Sequence, residues 1–172
     1  MSLETKKIFD NLIELSNKAI INNEVPIACS FIHKDTGKEL ATFYNLTNEC
    51  RNAIKHCEIL CIEECVKNNI NLADVDVYVT VEPCLMCGYA LVLAGIHKVY
   101  FIINNNKFGG VNSLYNLKLN CEQVEYREAY VKEQLQNFYK IGNPNLEPEK
   151  RHRYKKVLYC EENKPNKKTK TQ

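Results

Sequence analysis

The stretch that most restricts the fold is residues 75–103, where two β-like runs flank one apolar segment. Residues 75–81 and 97–103 are rich in β-branched and aromatic side chains, which predicts strands. Residues 84–95 between them are apolar and end at Gly95, which predicts a buried helix. Strands joined through a helix favour parallel pairing by a right-handed crossover. The sequence therefore predicts a layered α/β domain.

The other predicted elements follow from apolar spacing and turn residues. They are a helix over 3–22, β-like runs over 24–33 and 38–46 joined by a turn, a helix over 55–68, a polar loop over 103–113, a short strand over 121–126 and a helix over 127–140. A chain of 172 residues with 45% apolar residues most naturally forms one core. We expect one domain over residues 1–149 and a separate tail over 150–172.

The predicted tail is strongly basic. Residues 150–172 contain nine Lys or Arg against two Glu, although the whole chain has a net charge of only +2. Such a segment is typical of a solvated, disordered end, and it also suits a protein whose partner is a polyanion. The composition alone leaves both interpretations open.

The cellular location is predicted from the cysteines and the apolar runs. The longest apolar run is residues 89–96, far shorter than the roughly 20 residues of a membrane-spanning helix. Charged residues interrupt the N-terminus, which is unlike a secretory signal. Nine cysteines in such a chain indicate reduced thiols or metal ligands. We expect the chain to work inside the cell, in the nucleus, the cytoplasm or both.

Two short motifs carry the predicted chemistry. Cys84 and Cys87 form a C-x-x-C pair directly after Pro83, which alone fits structural zinc, redox chemistry or a helix interior. His56, followed two residues later by Glu58, precedes that pair. The order H-x-E and then P-C-x-x-C is the signature of zinc-dependent nucleobase deaminases.

Each residue of these motifs has a predicted role. His56, Cys84 and Cys87 supply three zinc ligands and leave the fourth position to water, as in catalytic zinc sites. The positive helix N-termini expected at both motifs help to keep the cysteines ionised. Glu58 moves protons between water, substrate and ammonia. The backbone N–H of Cys57 is expected near the reacting oxygen, where it would stabilise developing charge.

Two other zinc arrangements remain open at this stage. Cys29, Cys50 or Cys61 would close the site as a fourth ligand and make it purely structural, which would leave Glu58 and Pro83 without a role. A second zinc site would use Cys57, Cys61 and Cys65. We expect instead that the Cys57 side chain packs inward, on one helix face with Ile54 and the other two cysteines.

The chain resembles the catalytic subunit of the eukaryotic tRNA adenosine deaminases, which convert wobble adenosine to inosine, and it is similar to their bacterial counterpart. The matching stretches are "EVPIA" at 24–28, "YN" at 44–45, "RNAIKHCE" at 51–58, "TVEPCLMCGYAL" at 80–91, "KFGG" at 107–110 and "NFYKIGNPN" at 137–145. The sequence departs from that family's pattern at Cys57, where alanine is usual, and at Ala28, where glycine is common. Residues 111–126 are also shorter than the eukaryotic pattern.

The resemblance implies a cytidine-deaminase-like fold, with a central five-stranded mixed sheet and helices on both faces. It implies one catalytic Zn²⁺, a nucleotide contact by Asn45, and a base pocket lined by Val25 and Pro26. It also assigns tRNA contacts to the basic tail, through Lys150, Arg151, Arg153, Lys155 and Lys156. Since Glu58 is present, the chain resembles the active member of a heterodimer whose related partner lacks that glutamate, although a homodimer would also fit.

Two other functions compete with tRNA deamination. A deaminase of guanine or another free purine or nucleotide would share the zinc motif, but it would not need the basic tail. A non-catalytic, zinc-stabilised RNA-binding subunit would not need Glu58.

Overall fold

The computed structural model describes residues 1–142 and 146–151. The helices are α1 (Leu3–Ile21), α2 (Cys57–Lys67), α3 (Leu85–Leu93) and α4 (Glu128–Ile141), and the strands are β1 (Ala28–His33), β2 (Glu39–Tyr44), β3 (Val75–Val81), β4 (Lys98–Ile103) and β5 (Cys121–Gln123). Short 3₁₀ turns occur at Leu72–Asp74 and Pro148–Lys150. All the helices and strands predicted from the sequence are present.

The five strands form one mixed sheet in the order β2-β1-β3-β4-β5. Strand β1 runs antiparallel to both β2 and β3, whereas β3, β4 and β5 are parallel. Strands β2, β3 and β4 therefore all end at the same edge of the sheet. The segments that follow these three strands, together with the segment that precedes β1, consequently meet at this edge.

Helices cover both faces of the sheet, because alternate side chains of each strand point to opposite sides. On one face, Val77 and Phe101 pack with Cys61 of α2 and Leu91 of α3. On the other face, α1 and α4 contribute a second core. Its buried residues are Phe9, Leu12, Ile13, Ala28, Val81, Ile102, Ile103, Val124 and Val131. The predicted three-layer α/β fold is confirmed.

Three details differ from the sequence prediction. Strand β1 begins at Ala28 rather than at residue 24, since Pro26 has no N–H to donate to a neighbouring strand. Helix α2 begins at Cys57, so Ile54 lies outside it and is half exposed instead of sharing its buried face. Helix α3 is buried on one side only, because it has the sheet on one side and no element from the described residues packs over Tyr89 or Leu93.

Residues Met1–Phe138 form a compact unit that contains every strand of the sheet. A second unit begins at Tyr139 and includes the 3₁₀ turn at Pro148–Lys150. The predicted boundary between residues 149 and 150 stays a prediction. In the described part of the chain, no helix has the length and apolar character to cross a membrane.

Candidate metal centre and active site

The residues predicted to bind zinc lie at the start of two neighbouring helices. His56 is the N-cap residue of α2 and Cys84 is the N-cap residue of α3, and both have extended backbone conformations. Neither side chain makes the capping hydrogen bond that is usual at this position. Cys87 lies one turn into α3. Because β2 and β3 end at the same edge, the three side chains converge there.

The geometry of the three side chains fits a tetrahedral zinc ion. His56 Nδ1 lies 3.7 Å from Cys84 Sγ and 3.5 Å from Cys87 Sγ. Zinc–sulfur bonds of about 2.3 Å and zinc–nitrogen bonds of about 2.0 Å, at a tetrahedral angle, place sulfur and nitrogen about 3.5 Å apart. The three ligand atoms all lie within 4.8 Å of one another. The donor set therefore suits a zinc ion bound by one nitrogen and two sulfurs.

No fourth side chain joins this cluster among residues 1–142 and 146–151. In particular, Cys29, Cys50 and Cys61 do not close the site, and Cys57, Cys61 and Cys65 do not form a second group of ligands. Three protein ligands with one open position are the arrangement of catalytic zinc sites, whereas structural sites use four.

The charges of the cluster favour a cation. A hydrogen bond from Cys87, assisted by His56, lowers the pKa of Cys84 to about 4 despite its burial. That hydrogen bond and burial raise the pKa of Cys87. Hydrogen bonding to Cys84 also raises the pKa of His56. The lowered pKa favours the thiolate form of Cys84, and a divalent cation is the natural means of holding both sulfurs ionised together.

Glu58 lies beside this cluster in the first turn of α2 and is only 3% exposed. Burial, reinforced by the negative charge of Cys84, raises the pKa of its carboxyl group. Cys57 Sγ donates a hydrogen bond of 3.3 Å to Glu58 Oε2. A buried carboxyl group with a raised pKa is suited to accept and release protons near neutral pH.

The structure gives the Cys57 N–H a different partner from the predicted one. It donates a 2.8 Å hydrogen bond to Asn45 Oδ1, which is therefore the cap that His56 does not provide. Because its hydrogen is already used within the protein, the predicted role of this N–H at the reacting oxygen gains no support from the structure and stays a prediction. The predicted inward packing of the Cys57 side chain is confirmed, since it is fully buried with Cys61 and Cys65.

The remaining predicted site residues fall into two groups. Asn45 is 2% exposed, and its N–H donates to Ile27 O, so the segment that carries Val25 and Pro26 lies next to it. In the tail, Lys150 lies in the last 3₁₀ turn and Arg151 directly follows it, and their tRNA contacts stay a prediction. Arg153, Lys155 and Lys156 lie outside the described residues.

Replacing Asn45 with alanine is expected to destabilise the fold as well as the site. Loss of a helix cap costs about 0.5–2 kcal/mol, and here it also leaves the Cys57 N–H without an acceptor. The urea midpoint should fall with an unchanged slope. Asn104→Ala, at an exposed asparagine in the loop after β4, is the matched control. An Asn45→Ala protein as stable as the wild type would contradict the capping role.

Two buried carboxylates that organise loops at this edge were missed by the sequence prediction. Glu24 is fully buried and accepts hydrogen bonds from the N–H groups of Asn48 and Glu49 at 2.8 Å each, and from the Thr47 hydroxyl at 3.1 Å. It thereby fixes the loop that leads from Asn45 to His56.

Glu82 does the same for the loop after β4. Its carboxylate accepts from the N–H groups of Asn105, Val111, Asn112 and Ser113, at 2.7–3.1 Å, and from the Ser113 hydroxyl. Burial alone would raise its pKa, but these hydrogen bonds outweigh it and lower the pKa. The only signal in the sequence is an acidic residue between an apolar strand and Pro83. This signal does not reveal which distant N–H groups the carboxylate binds.

A Glu82→Gln protein is expected to be less stable by about 1–3 kcal/mol, because the amide accepts through one oxygen and leaves buried donors unpaired. Since the folded-state pKa of Glu82 is lowered, its contribution is complete above the unfolded-state value of about 4.3 and is lost as the pH falls through the folded-state value. The stability difference between wild type and variant, measured by urea unfolding, should therefore shrink below about pH 4. A difference that is constant from pH 7 to pH 3 would contradict this explanation.

Comparison with known proteins agrees with this site. The cytidine and deoxycytidylate deaminase zinc-binding region matches residues 3–103. A Xenopus tropicalis protein named tRNA-specific adenosine deaminase 2 is 32% identical over 84% of this chain and 94% of its own length. The tRNA-specific adenosine deaminase of Streptococcus pyogenes serotype M1 is 36% identical over 73% of this chain and 74% of its own length. The matched region covers only 27% of a third relative, the Schizosaccharomyces pombe subunit tad2, at 36% identity.

Solved structures agree as well. A chain from a study of A-to-I editing by tRNA:A34 deaminases superposes with a TM-score of 0.68 at 26% identity, over 74% of this chain and 97% of that one. A guanine deaminase from Nitrosomonas europaea has a TM-score of 0.65 at 17% identity, over 80% of this chain and 84% of that one, which establishes the shared fold alone.

The fold and the His-Cys-Cys cluster define a zinc-dependent hydrolytic deaminase. The chain belongs to the cytidine and deoxycytidylate deaminase family, and its relatives in Xenopus and Streptococcus are named tRNA-specific adenosine deaminases.

Proposed function

We propose that this chain is the catalytic subunit of a tRNA-specific adenosine deaminase that converts the adenosine at the wobble position of the anticodon to inosine. The observation that carries the proposal is the three-ligand metal site with the buried carboxyl group of Glu58 beside it. A structural zinc site or a non-catalytic subunit would need neither the open position nor that carboxyl group.

The chemistry requires a water molecule, a proton carrier and a way to orient the base. His56, Cys84 and Cys87 would hold the zinc ion, which would lower the pKa of a water molecule bound to it toward neutrality. Glu58 takes a proton from the water and delivers it to N1 of adenine as the oxygen attaches to C6. It then takes the proton of the new C6 hydroxyl group and transfers it to the amino group, which leaves as ammonia while C6 becomes a carbonyl. The raised pKa of Glu58 suits a group that both accepts and donates.

Asn45 and the segment before β1 are proposed to hold the base. Because Asn45 Oδ1 accepts from the Cys57 N–H, its Nδ2 hydrogens are the part of the amide that would donate to a base acceptor. Val25 and Pro26 lie next to Asn45 along the same edge and would contact the ring. An unpaired anticodon loop reduces the cost of moving the target base into such a site.

A related deaminase-fold subunit is the proposed protein partner. Helix α3 leaves apolar side chains exposed on the side that faces away from the sheet, at the spacing of one helix face. They are Met86, Tyr89 and Leu93, with exposed fractions of 38%, 54% and 73%. Exposed apolar surface of this kind marks protein interfaces.

The charge change Leu93→Glu should abolish assembly with the partner, measured by light scattering. Unchanged assembly would exclude this face.

The direct test is to incubate a tRNA that contains adenosine at position 34 with the purified chain, alone and with its related subunit, and to measure inosine. Free guanine and cytidine are tested in parallel. Inosine in the tRNA supports the proposal, whereas deamination of guanine alone would establish the competing function.

Removal of residues 150–172 should weaken tRNA binding and flatten its dependence on salt while zinc content is unchanged. Unaltered affinity would exclude a role for the tail.

A further inference from the structure

The loop over residues 104–113 is attached directly to the segment that carries Cys84. The N–H of Leu85 donates to Phe108 O at 2.9 Å, and the N–H of Gly110 donates to Pro83 O at 2.9 Å. Between these two hydrogen bonds, Gly109 lies opposite Cys84 as an antiparallel bridge. The backbone of Phe108 is therefore held beside the metal centre.

The same loop is also held by hydrogen bonds from its N–H groups to the Glu82 carboxylate. A Cβ atom on Gly109 would lie 2.5 Å from Glu82 Oε2, and one on Gly110 would lie 2.9 Å from the Cα of Leu85. Only glycine at both positions permits such close approach. With the four N–H groups that Glu82 binds, this leaves the loop little freedom to move. The loop is thus ordered before any substrate binds.

This fixed loop presents one aromatic side chain and one cation to solvent. The Phe108 side chain is 56% exposed, and Lys107 Nζ lies 5.2 Å from the centre of its ring. An exposed aromatic ring held in place is a stacking surface for an unpaired nucleobase, and a neighbouring Lys supplies charge for the phosphate. Neither residue packs in the cores of the sheet.

We propose that Phe108 stacks on a nucleobase adjacent to the target adenosine, with Lys107 contacting the phosphate beside it. The inference rests on the proposed function, because it takes an unpaired RNA loop as the substrate. The order imposed by Glu82 and by the pairing with Cys84 lowers the entropy cost of binding. Contacts of Phe108 and Lys107 with the neighbouring nucleotide also explain why the site would select a base within an anticodon loop over the free base.

The test uses an anticodon stem-loop with the fluorescent base 2-aminopurine next to the target position. Binding to the wild-type chain should quench the fluorescence through stacking. Phe108→Ala should abolish the quenching and weaken binding by about 5- to 100-fold, as expected for loss of one base–aromatic stack. Phe108→Tyr should restore both. Tyr130→Ala, which removes an exposed aromatic from α4, is the matched control and should behave as the wild type.

The effect on catalysis should separate binding from chemistry. Phe108→Ala should raise KM for tRNA with kcat nearly unchanged, and zinc content and oligomeric state should match the wild type. Wild-type quenching and affinity in Phe108→Ala would overturn the inference, as would a change in oligomeric state, which would place Phe108 in a protein interface. Because quenching is measured without turnover, a wild-type chain that binds and stacks but forms no inosine would contradict the proposed function alone.

Discussion

A Glu58→Gln protein is expected to bind zinc like the wild type and to lose deaminase activity by about 10²–10⁴-fold or more. The amide preserves the shape of the side chain but cannot carry a proton between water and the base. Since burial disfavours the charged carboxylate, the neutral amide should not destabilise the fold. Atomic emission measures the retained zinc, and single-turnover deamination of the same sample measures the loss of activity.

Glu63→Gln is the matched control, because Glu63 lies on the same helix and makes only an exposed ion pair with Lys55. Such pairs contribute at most about 1 kcal/mol, so activity should be retained. A Glu58→Gln protein with full activity and normal zinc would show that another group moves the protons.

The second large effect is expected from Cys84→Ser. Its sulfur has the lowered pKa and is one of only three ligand atoms in the described cluster, so the variant should purify with almost no zinc and no measurable activity. The melting temperature should also fall, because the metal joins the first turns of α2 and α3. A chelator should produce the same loss in the wild type, and added zinc should reverse it.

Cys50→Ser is the control for the loss of a thiol as such, since Cys50 is exposed and outside the cluster. It should keep its zinc and its activity. Retention of stoichiometric zinc by Cys84→Ser would mean that another side chain completes the site.

The zinc cluster was predictable from sequence because its residues form short motifs at helix starts. The strand–helix–strand pattern over 75–103 fixes where Cys84 and Cys87 lie relative to the sheet. The predicted helix over 55–68 also placed His56 and Glu58 close to their observed positions. Local spacing carries this information, because the helix geometry alone determines how residues within one turn lie relative to one another.

What the sequence did not reveal are the contacts in which a distant residue decides the local structure. The short motif does not show that Asn45, twelve residues earlier, caps the Cys57 N–H. Glu82 binds N–H groups up to 31 residues away. Such partners depend on how β2, β3 and β4 end at one edge, which no short motif encodes.

Conversion of adenosine 34 in tRNA, followed by mass spectrometry of the digested nucleosides, measures the proposed activity itself. The wild-type chain, together with the proposed related subunit, should convert adenosine to inosine with release of ammonia, and Glu58→Gln in the same complex should not. Absence of inosine from a zinc-loaded, assembled wild-type complex, or equal conversion by Glu58→Gln, would contradict the claim.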